Sequence, residues 1–403
     1  VRDRKVRQGL ARLFPAMSPN PRLVSLDAFR GFIMLLMASS GFGLAQMAKA
    51  NPDNVLWQHI GFQVSHVEWV GCALWDLIQP AFMFMVGMAV PLSMMRRKQE
   101  GQGFIKRFGH ALLRAVILIL LGVMLSTKLG DAQTNWIFPN VLAQIGLGYI
   151  FLFVLAAMGW EYCVAAVVLI LVGDWYWFFQ HPVPGAGFDF AAVGAKPEDL
   201  MTGRFAHWSK HLNVAADFDR WFLNLLPRAE SFVTNAGGYT TMNFVPALAT
   251  MLMGAVTGEK LMRSQKTHGQ KAAALFIAGI VCLLIGTILG IVAVPVVKRI
   301  WTPSWVMFSG GWVFLMLSVF YWLVEVAGQR KIVFPLVVVG MNSIFIYLMH
   351  SLASGWIRDT IKSHAGQEVF SGYWGPVAER CSVLAVLWLM CFWLYRRRAF
   401  LRV

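Results

Sequence analysis

His66, Asp76, Asn140, Gln144, Asn243, Asn342 and His350 lie within or at the edges of long apolar blocks of the sequence. Polar side chains in such blocks are expensive to bury and tend to be kept for function. The inventory is imidazole, carboxylate and amide. It suits proton transfer combined with stabilisation of a developing oxyanion, as acyl transfer requires. A histidine can deprotonate an attacking amine or hydroxyl, or carry the acyl group itself. An asparagine amide can donate to the tetrahedral oxygen. There is no H-E-x-x-H and no close ligand pair on one helix face, so no metal site is expected. A Walker loop and a Gly-rich dinucleotide motif after a strand are likewise missing.

The elements that must hold these groups are read from composition. Hydrophobic residues make up 58% of the chain and charged residues 14%, against roughly 45–50% and about 25% in soluble domains. The apolar residues come in blocks of about twenty, enough to cross roughly 30 Å of hydrocarbon as a helix. Spans are expected near 23–47, 71–95, 108–127, 138–158, 162–180, 240–261, 272–297, 303–326, 333–353 and 381–399. The division around Gly159 to Glu161 has the shortest turn. The fold class is therefore all-α, a polytopic integral membrane helical bundle of about ten transmembrane helices. The net charge of +15 sits in short loops between apolar blocks, which membrane topology explains without nucleic acid.

Basic residues are distributed unevenly. One side of the spans carries Arg2, Arg4, Lys5, Arg7, Arg12 and Arg22, then Arg96, Arg97, Lys98, Lys106 and Arg107. It continues with Lys260, Arg263, Lys266, Lys271, Arg330, Lys331, Arg396, Arg397, Arg398 and Arg402. The opposite short loops hold only Lys49, Lys128, Lys298, Arg299, Arg358, Lys362 and Arg380. The positive-inside bias places both termini in the cytoplasm. Residues 1–22 read as a basic cytoplasmic arm without an apolar signal segment, and a start at Val suggests a trimmed chain. The long loop 181–239 is then extracytoplasmic. Its Trp208, Trp221 and Phe222 suggest a folded lid on the membrane surface. The five cysteines form no C-x-x-C pair and read as packing residues. No internal repeat supports an inverted-repeat transporter.

Depth follows from this orientation. Asp27 and Arg30, three apart at the cytoplasmic end of the first span, can pair. Arg30 could hold an anionic ligand entering there. His66, Asp76, Asn140, Gln144, Asn243 and His350 all fall in the outer half, a shared layer that points to one polar site. Asn342 is expected mid-depth. His66 and Asp76 would lie about 15 Å apart along a single helix. Either the segment around His66 folds back, or Asp76 serves another partner. Trp301 and Trp305 open a span on the outer side, where rings anchor helices and can also bind sugars.

Arg22-Leu23-Val24-Ser25-Leu26-Asp27-Ala28-Phe29-Arg30-Gly31 resembles the opening signature of the heparan-α-glucosaminide N-acetyltransferase family. The likeness continues in His66-Val67-Glu68-Trp69-Val70-Gly71 and Asp76-Leu77-Ile78-Gln79-Pro80-Ala81-Phe82-Met83-Phe84-Met85-Val86-Gly87. It resumes at Val141 to Gly146, Lys298 to Gly311 and Gly340 to Ile344. The resemblance implies a domain over 23–403 that moves acetyl from cytoplasmic acetyl-CoA to an amino sugar across a bacterial inner membrane. It makes His66 the catalytic histidine and Asp76 its supporting acid; Asn243, Asn342 and His350 are further catalytic candidates from their place in the apolar blocks. Arg30, Arg96, Arg97, Arg114 and Arg263 would meet the CoA phosphates, and Asn140, Gln144, Trp301 and Trp305 the sugar. A homodimer is plausible on the same ground. The family's Asn late in the first span is replaced here by Ser39, Ser40 and Gly41, so the oxyanion donor is expected elsewhere, at Asn243 or Asn342. Residues 235–239, Asn-Ala-Gly-Gly-Tyr, also depart from the family pattern, and the acceptor can differ accordingly. Two rival functions share the polar layer: an N-acetylglucosamine transporter, and an O-acetyltransferase of a periplasmic glycan.

Overall fold

The computed structural model describes residues 23–128 and 130–401, so the basic arm 1–22 and Arg402 lie outside the described residues. Among the described residues the fold is all-α, with an isolated antiparallel bridge between Val70 and Val297 as its only extended pairing. Eight helical segments are long and apolar enough to cross a bilayer. The helices within them are α4 (Ile78–Gln99), α5 (Phe104–Ser126), α6 (Val141–Met158), α7 (Trp160–Phe179), α9 (Phe244–Arg263), α10 (His268–Val292), α11 (Pro303–Tyr321) and α14 (Gly375–Arg396). Two bent pairs pass the same test only when taken together, so the described residues hold eight spans, or up to ten if each bent pair is one span. The first joins α1 (Val24–Ala38) to Ser40–Ala50, which contains α2 (Leu44–Ala50), at 44°. The second joins α12 (Phe334–Gly340) to α13 (Ser343–Ala365) at 79°. The remaining helices are α3 (Val55–Gln63) and α8 (Val214–Phe222).

The expected spans are present, with two differences of course. The first breaks where Ser40, Gly41, Phe42 and Gly43 all take positive φ, a conformation that ends an α-helix. The ninth breaks at Met341 and Asn342, and its second half runs on to Ala365. Residues 141–158 and 160–179 are separate helices divided at Gly159, whose φ of +134° a side chain would strain.

Burial separates the centre from the periphery. In an apolar stretch of 18 residues taken from each segment, 72% of residues are buried in Thr241–Arg263 and 67% in Leu74–Gln99, against 22% in His268–Val292 and 17% in Trp160–Phe179. The outer helices therefore turn apolar side chains such as Leu169, Ile277 and Ile291 outward, as lipid-facing helices do. The inner pair, α4 and α9, packs with small residues at the crossing, which lets backbones approach. A Cβ on Gly87 would lie 1.8 Å from the Met251 carbonyl oxygen, and one on Gly254 2.0 Å from that of Phe84. Neither backbone can yield without parting the helices that carry Asp76 and Asn243. Gly254→Ala is expected to destabilise the protein by at least the upper part of the about 1–3 kcal/mol typical of overpacking. Thermal unfolding in detergent measures this, and an unchanged midpoint would contradict the close approach.

Candidate active site

The segment 64–73, between α3 and α4, is irregular. It folds back over the start of the next span, so the ten residues between His66 and Asp76 do not separate them. His66 Nδ1 lies 2.8 Å from Asp76 Oδ1. Asp76 sits in a tight helical turn, Leu74–Leu77, just before α4 and is 1% exposed. Its second oxygen accepts the backbone N–H of Val67 at 3.2 Å and of Ala73 at 3.1 Å. The carboxylate thus anchors both ends of the fold-back. The His66 side chain remains 44% exposed, and Nε2 has no hydrogen-bond partner among the described residues.

A second irregular segment, 293–302, completes the group. Gly71 N–H donates to the Val296 carbonyl at 2.9 Å, beside the Val70–Val297 bridge. Thr302 hydroxyl donates to the Pro295 carbonyl at 2.8 Å and accepts the Val297 N–H at 3.0 Å. This folded turn carries Lys298 inward. Its ammonium is buried and donates to Asp76 Oδ1 at 3.2 Å, and stands 3.2 Å from His66 Nδ1. Burial draws Lys298 below the ordinary lysine range, while Asp76 opposes that shift. Burial also pushes the neighbouring Cys72 thiol up to about 12, so it stays neutral. The 2.8 Å contact to an anionic acceptor assigns the imidazole proton to Nδ1, leaving the Nε2 lone pair outward.

Arg299 ties this group to the stretch 181–239. Its guanidinium donates to the Gly237 carbonyl at 2.7 Å and the Val67 carbonyl at 3.1 Å. Its own carbonyl accepts Asn243 Nδ2 at 2.7 Å, and Asn243 Oδ1 accepts the Thr240 hydroxyl at 2.6 Å. Asn243 therefore keeps one amide hydrogen uncommitted. The stretch 181–239 is folded, with α8 and several short turns. Trp69 Nε1 donates to the Trp208 carbonyl at 3.0 Å. Trp208, Phe178, Val297 and Ile300 share an apolar cluster beneath.

Asp219 on α8 ties the stretch 181–239 to the helix that follows it. Both its oxygens accept the Thr241 N–H, at 3.1 and 2.9 Å, at the start of the turn leading into α9. Burial raises its carboxyl from 3.8 to about 6. The protonated form is thus favoured by folding. That contribution is complete below about pH 4 and is lost as pH rises through about 6. Docking of residues 214–222 is expected to loosen across that window and to level off above it. Asp219→Asn should remove this dependence. Hydrogen exchange of α8 against pH, corrected for intrinsic rates, reads the difference, and identical profiles would contradict it.

The other expected site residues are placed as follows. Asn140 caps α6, accepting the Ala143 N–H and donating to the Gly122 carbonyl and the Ser126 hydroxyl. Gln144 Nε2 donates to the carbonyls of Phe138, Thr240 and Thr241. It braces the base of the lid near Asn243. Trp301 and Trp305 are 1% and 0% exposed, because 293–302 turns inward and carries their rings into the helical core. Neither offers a face to a sugar in this structure. His350 contacts Ser354 on its own helix. Asn342 stands at the α12–α13 break, bonded to Ala399 and Leu401, at the end of the bundle away from His66.

That far end gathers the basic candidates. Arg96 pairs with Glu100 at 3.0 Å, Arg263 with Glu259 at 3.1 Å, and Arg30 with Asp27 at 3.8 Å. Arg97 donates to Gln102. Deeper in, Arg114 lies 4.8 Å over the Tyr149 ring, and the Nε atoms of both Arg107 and Arg114 are buried without a hydrogen-bond partner. Seven apart on α5, these two share a face. Buried guanidinium donors without acceptors fit a polyanionic ligand such as a nucleotide with phosphates.

Sequence reasoning missed Lys298 and Arg299 as members of the site. The available signal was their position: two adjacent cations in a short loop on the side poor in basic residues.

Comparison with known proteins gives the following similarities. Residues 22–206 match the family described as "Heparan-alpha-glucosaminide N-acetyltransferase, catalytic". That stretch includes His66 and Asp76 and ends before Asn243 and Lys298. Two curated relatives named heparan-alpha-glucosaminide N-acetyltransferase, from Homo sapiens and Mus musculus, are 24% and 23% identical to this chain. The alignments cover 95% of this chain and 60% of each relative, so it spans about three fifths of their length. The match over residues 22–206, together with this similarity along 95% of the chain, supports a heparan-alpha-glucosaminide N-acetyltransferase-like family for it.

Proposed function

We propose that this protein is a transmembrane acetyltransferase. It takes acetyl from acetyl-CoA at the basic end of the bundle and passes it to the amine of glucosamine or an amino-sugar oligomer at the lid end. The observation that carries this reading is the His66 imidazole, oriented through Nδ1 by a buried carboxylate, with Nε2 free on the exposed side. Arg96, Arg97, Arg107, Arg114 and Arg263 are the residues suited to the CoA phosphates. The pantetheine arm would reach from them toward His66. The charge asymmetry of the loops supports a cytoplasmic basic end, cytoplasmic termini and an extracytoplasmic lid over 181–239; the membrane of this proposal is a bacterial inner membrane.

In direct transfer the amine nitrogen attacks the thioester carbonyl, and the carbonyl electron pair moves onto oxygen. His66 Nε2 takes the N–H proton, and Asp76 stabilises the imidazolium. Asn243 is the amide nearest in the hydrogen-bond network with a free N–H for the oxyanion. Collapse breaks the C–S bond, and the imidazolium returns its proton to the departing thiolate. A two-step route uses the same nitrogen: Nε2 first accepts the acetyl group, then yields it to the amine. Purified protein supplied with acetyl-CoA and glucosamine should release free thiol and form N-acetylglucosamine in equal amounts. Uptake of labelled N-acetylglucosamine into vesicles without acetyl-CoA, and no thiol release, would replace this reading with a transporter.

A further inference from the structure

Lys298 is a cation of the less basic side, 222 residues from Asp76, yet it is buried against the histidine–carboxylate pair. It makes no other side-chain hydrogen bond among those described. A buried lysine on a separate segment is costly, so its presence there needs a reason beyond packing. Asp76 is already held by two backbone N–H groups and the imidazole. It does not need a lysine to be oriented.

We infer that Lys298 is a positioning residue that balances the charge of Asp76, so that His66 works as a neutral imidazole with its lone pair on Nε2. A carboxylate beside a histidine favours the imidazolium. The imidazolium has no lone pair and can neither accept a proton nor take an acetyl group. With Lys298 present, the three groups carry no net charge while the imidazole is neutral. Adding a proton to His66 then produces a net cation in a partly buried site. The ammonium sits equally near Nδ1 and Oδ1, at 3.2 Å from each, so it opposes protonation directly as well as through Asp76.

The other titratable groups around the site do not replace it. Arg299 is committed to the Gly237 and Val67 carbonyls. The Cys72 thiol and the Tyr239 phenol are both pushed upward by burial and stay neutral. Glu68 is exposed on the same loop.

The consequence for transfer rests on the acetyltransferase reading, whereas the charge balance can be tested without it. Diethyl pyrocarbonate carbethoxylates histidine only as the neutral imidazole. Its rate at His66, resolved by peptide mass spectrometry between pH 5 and 9, reports the protonation midpoint. Lys298→Gln keeps an amide donor and removes the charge, and should move the midpoint up by about one to three pH units. Lys298→Arg should stay with the wild type. The acid limb of thiol release from acetyl-CoA should follow the same order. A folded Lys298→Gln protein with the wild-type midpoint would overturn the inference. If that variant does not fold, Asp76→Asn decides: the unbalanced Lys298 should move the midpoint down, and no movement overturns the inference. A shifted midpoint without any thiol release in the wild type would sink the acetyltransferase reading and leave the charge balance standing. Normal transfer with an unmoved midpoint would do the reverse.

Discussion

His66→Ala is expected to lower the proposed acetyl transfer by about 10²–10⁴-fold, the range supplied by a positioned general acid–base group, with the protein still folded and still binding acetyl-CoA. The fold tolerates the change because the His66 side chain is 44% exposed and its one close acceptor, Asp76, keeps Lys298 and two backbone donors. The loop itself is held by backbone contacts, Val67 to Asp76 and Gly71 to Val296. Donor binding should be unaffected because the arginines suited to the phosphates lie at the other end of the bundle. The expected signature is a fall in kcat with acetyl-CoA affinity unchanged. A folded variant that transfers acetyl at the wild-type rate would remove His66 from the chemistry.

Asp76→Ala has a different and larger structural cost. It leaves the Lys298 ammonium buried without a counter-charge, and it frees the Val67 and Ala73 N–H groups that close the fold-back. Removing one partner of a buried ion pair typically costs about 3–5 kcal/mol. The loss should be strongly non-additive. Asp76→Leu combined with Lys298→Met should recover much of the thermal stability that Asp76→Ala loses, because no lone charge remains. The double variant should stay inactive, since nothing then orients the imidazole. Additive losses in thermal unfolding would mean that Asp76 and Lys298 do not interact in the folded protein.

The helical architecture was legible because the bilayer demands apolar runs of fixed length, and such runs are visible in one dimension. The breaks were less so. Ser39 to Gly43 is rich in small residues, but their composition alone does not announce four consecutive positive φ values. His66 and Asp76 were each legible as polar groups in the outer half. Their contact was not, because helical spacing would hold them apart and only the irregular path of 64–73 joins them. Lys298 was hidden for the same reason: its relation to Asp76 is made by the turn 293–302, and sequence distance carries no trace of it. Trp301 and Trp305 show the converse. Their place at the start of a span suggested an exposed aromatic belt, but the inward turn before α11 buries both. Asn342 stands in an apolar stretch for a structural reason, bonding residues 399 and 401 at the end of the last helix.

Under the proposed function, donor and acceptor meet at His66 from opposite sides of a membrane. Protein reconstituted in one orientation tests this most directly. Labelled acetyl-CoA is supplied only on the side of the basic helix ends, and glucosamine is confined to the lid side. Labelled N-acetylglucosamine should accumulate on the lid side while free thiol appears on the other, and His66→Ala should abolish both. Product that forms only when both substrates share one compartment, or that forms equally well in His66→Ala, would contradict the account.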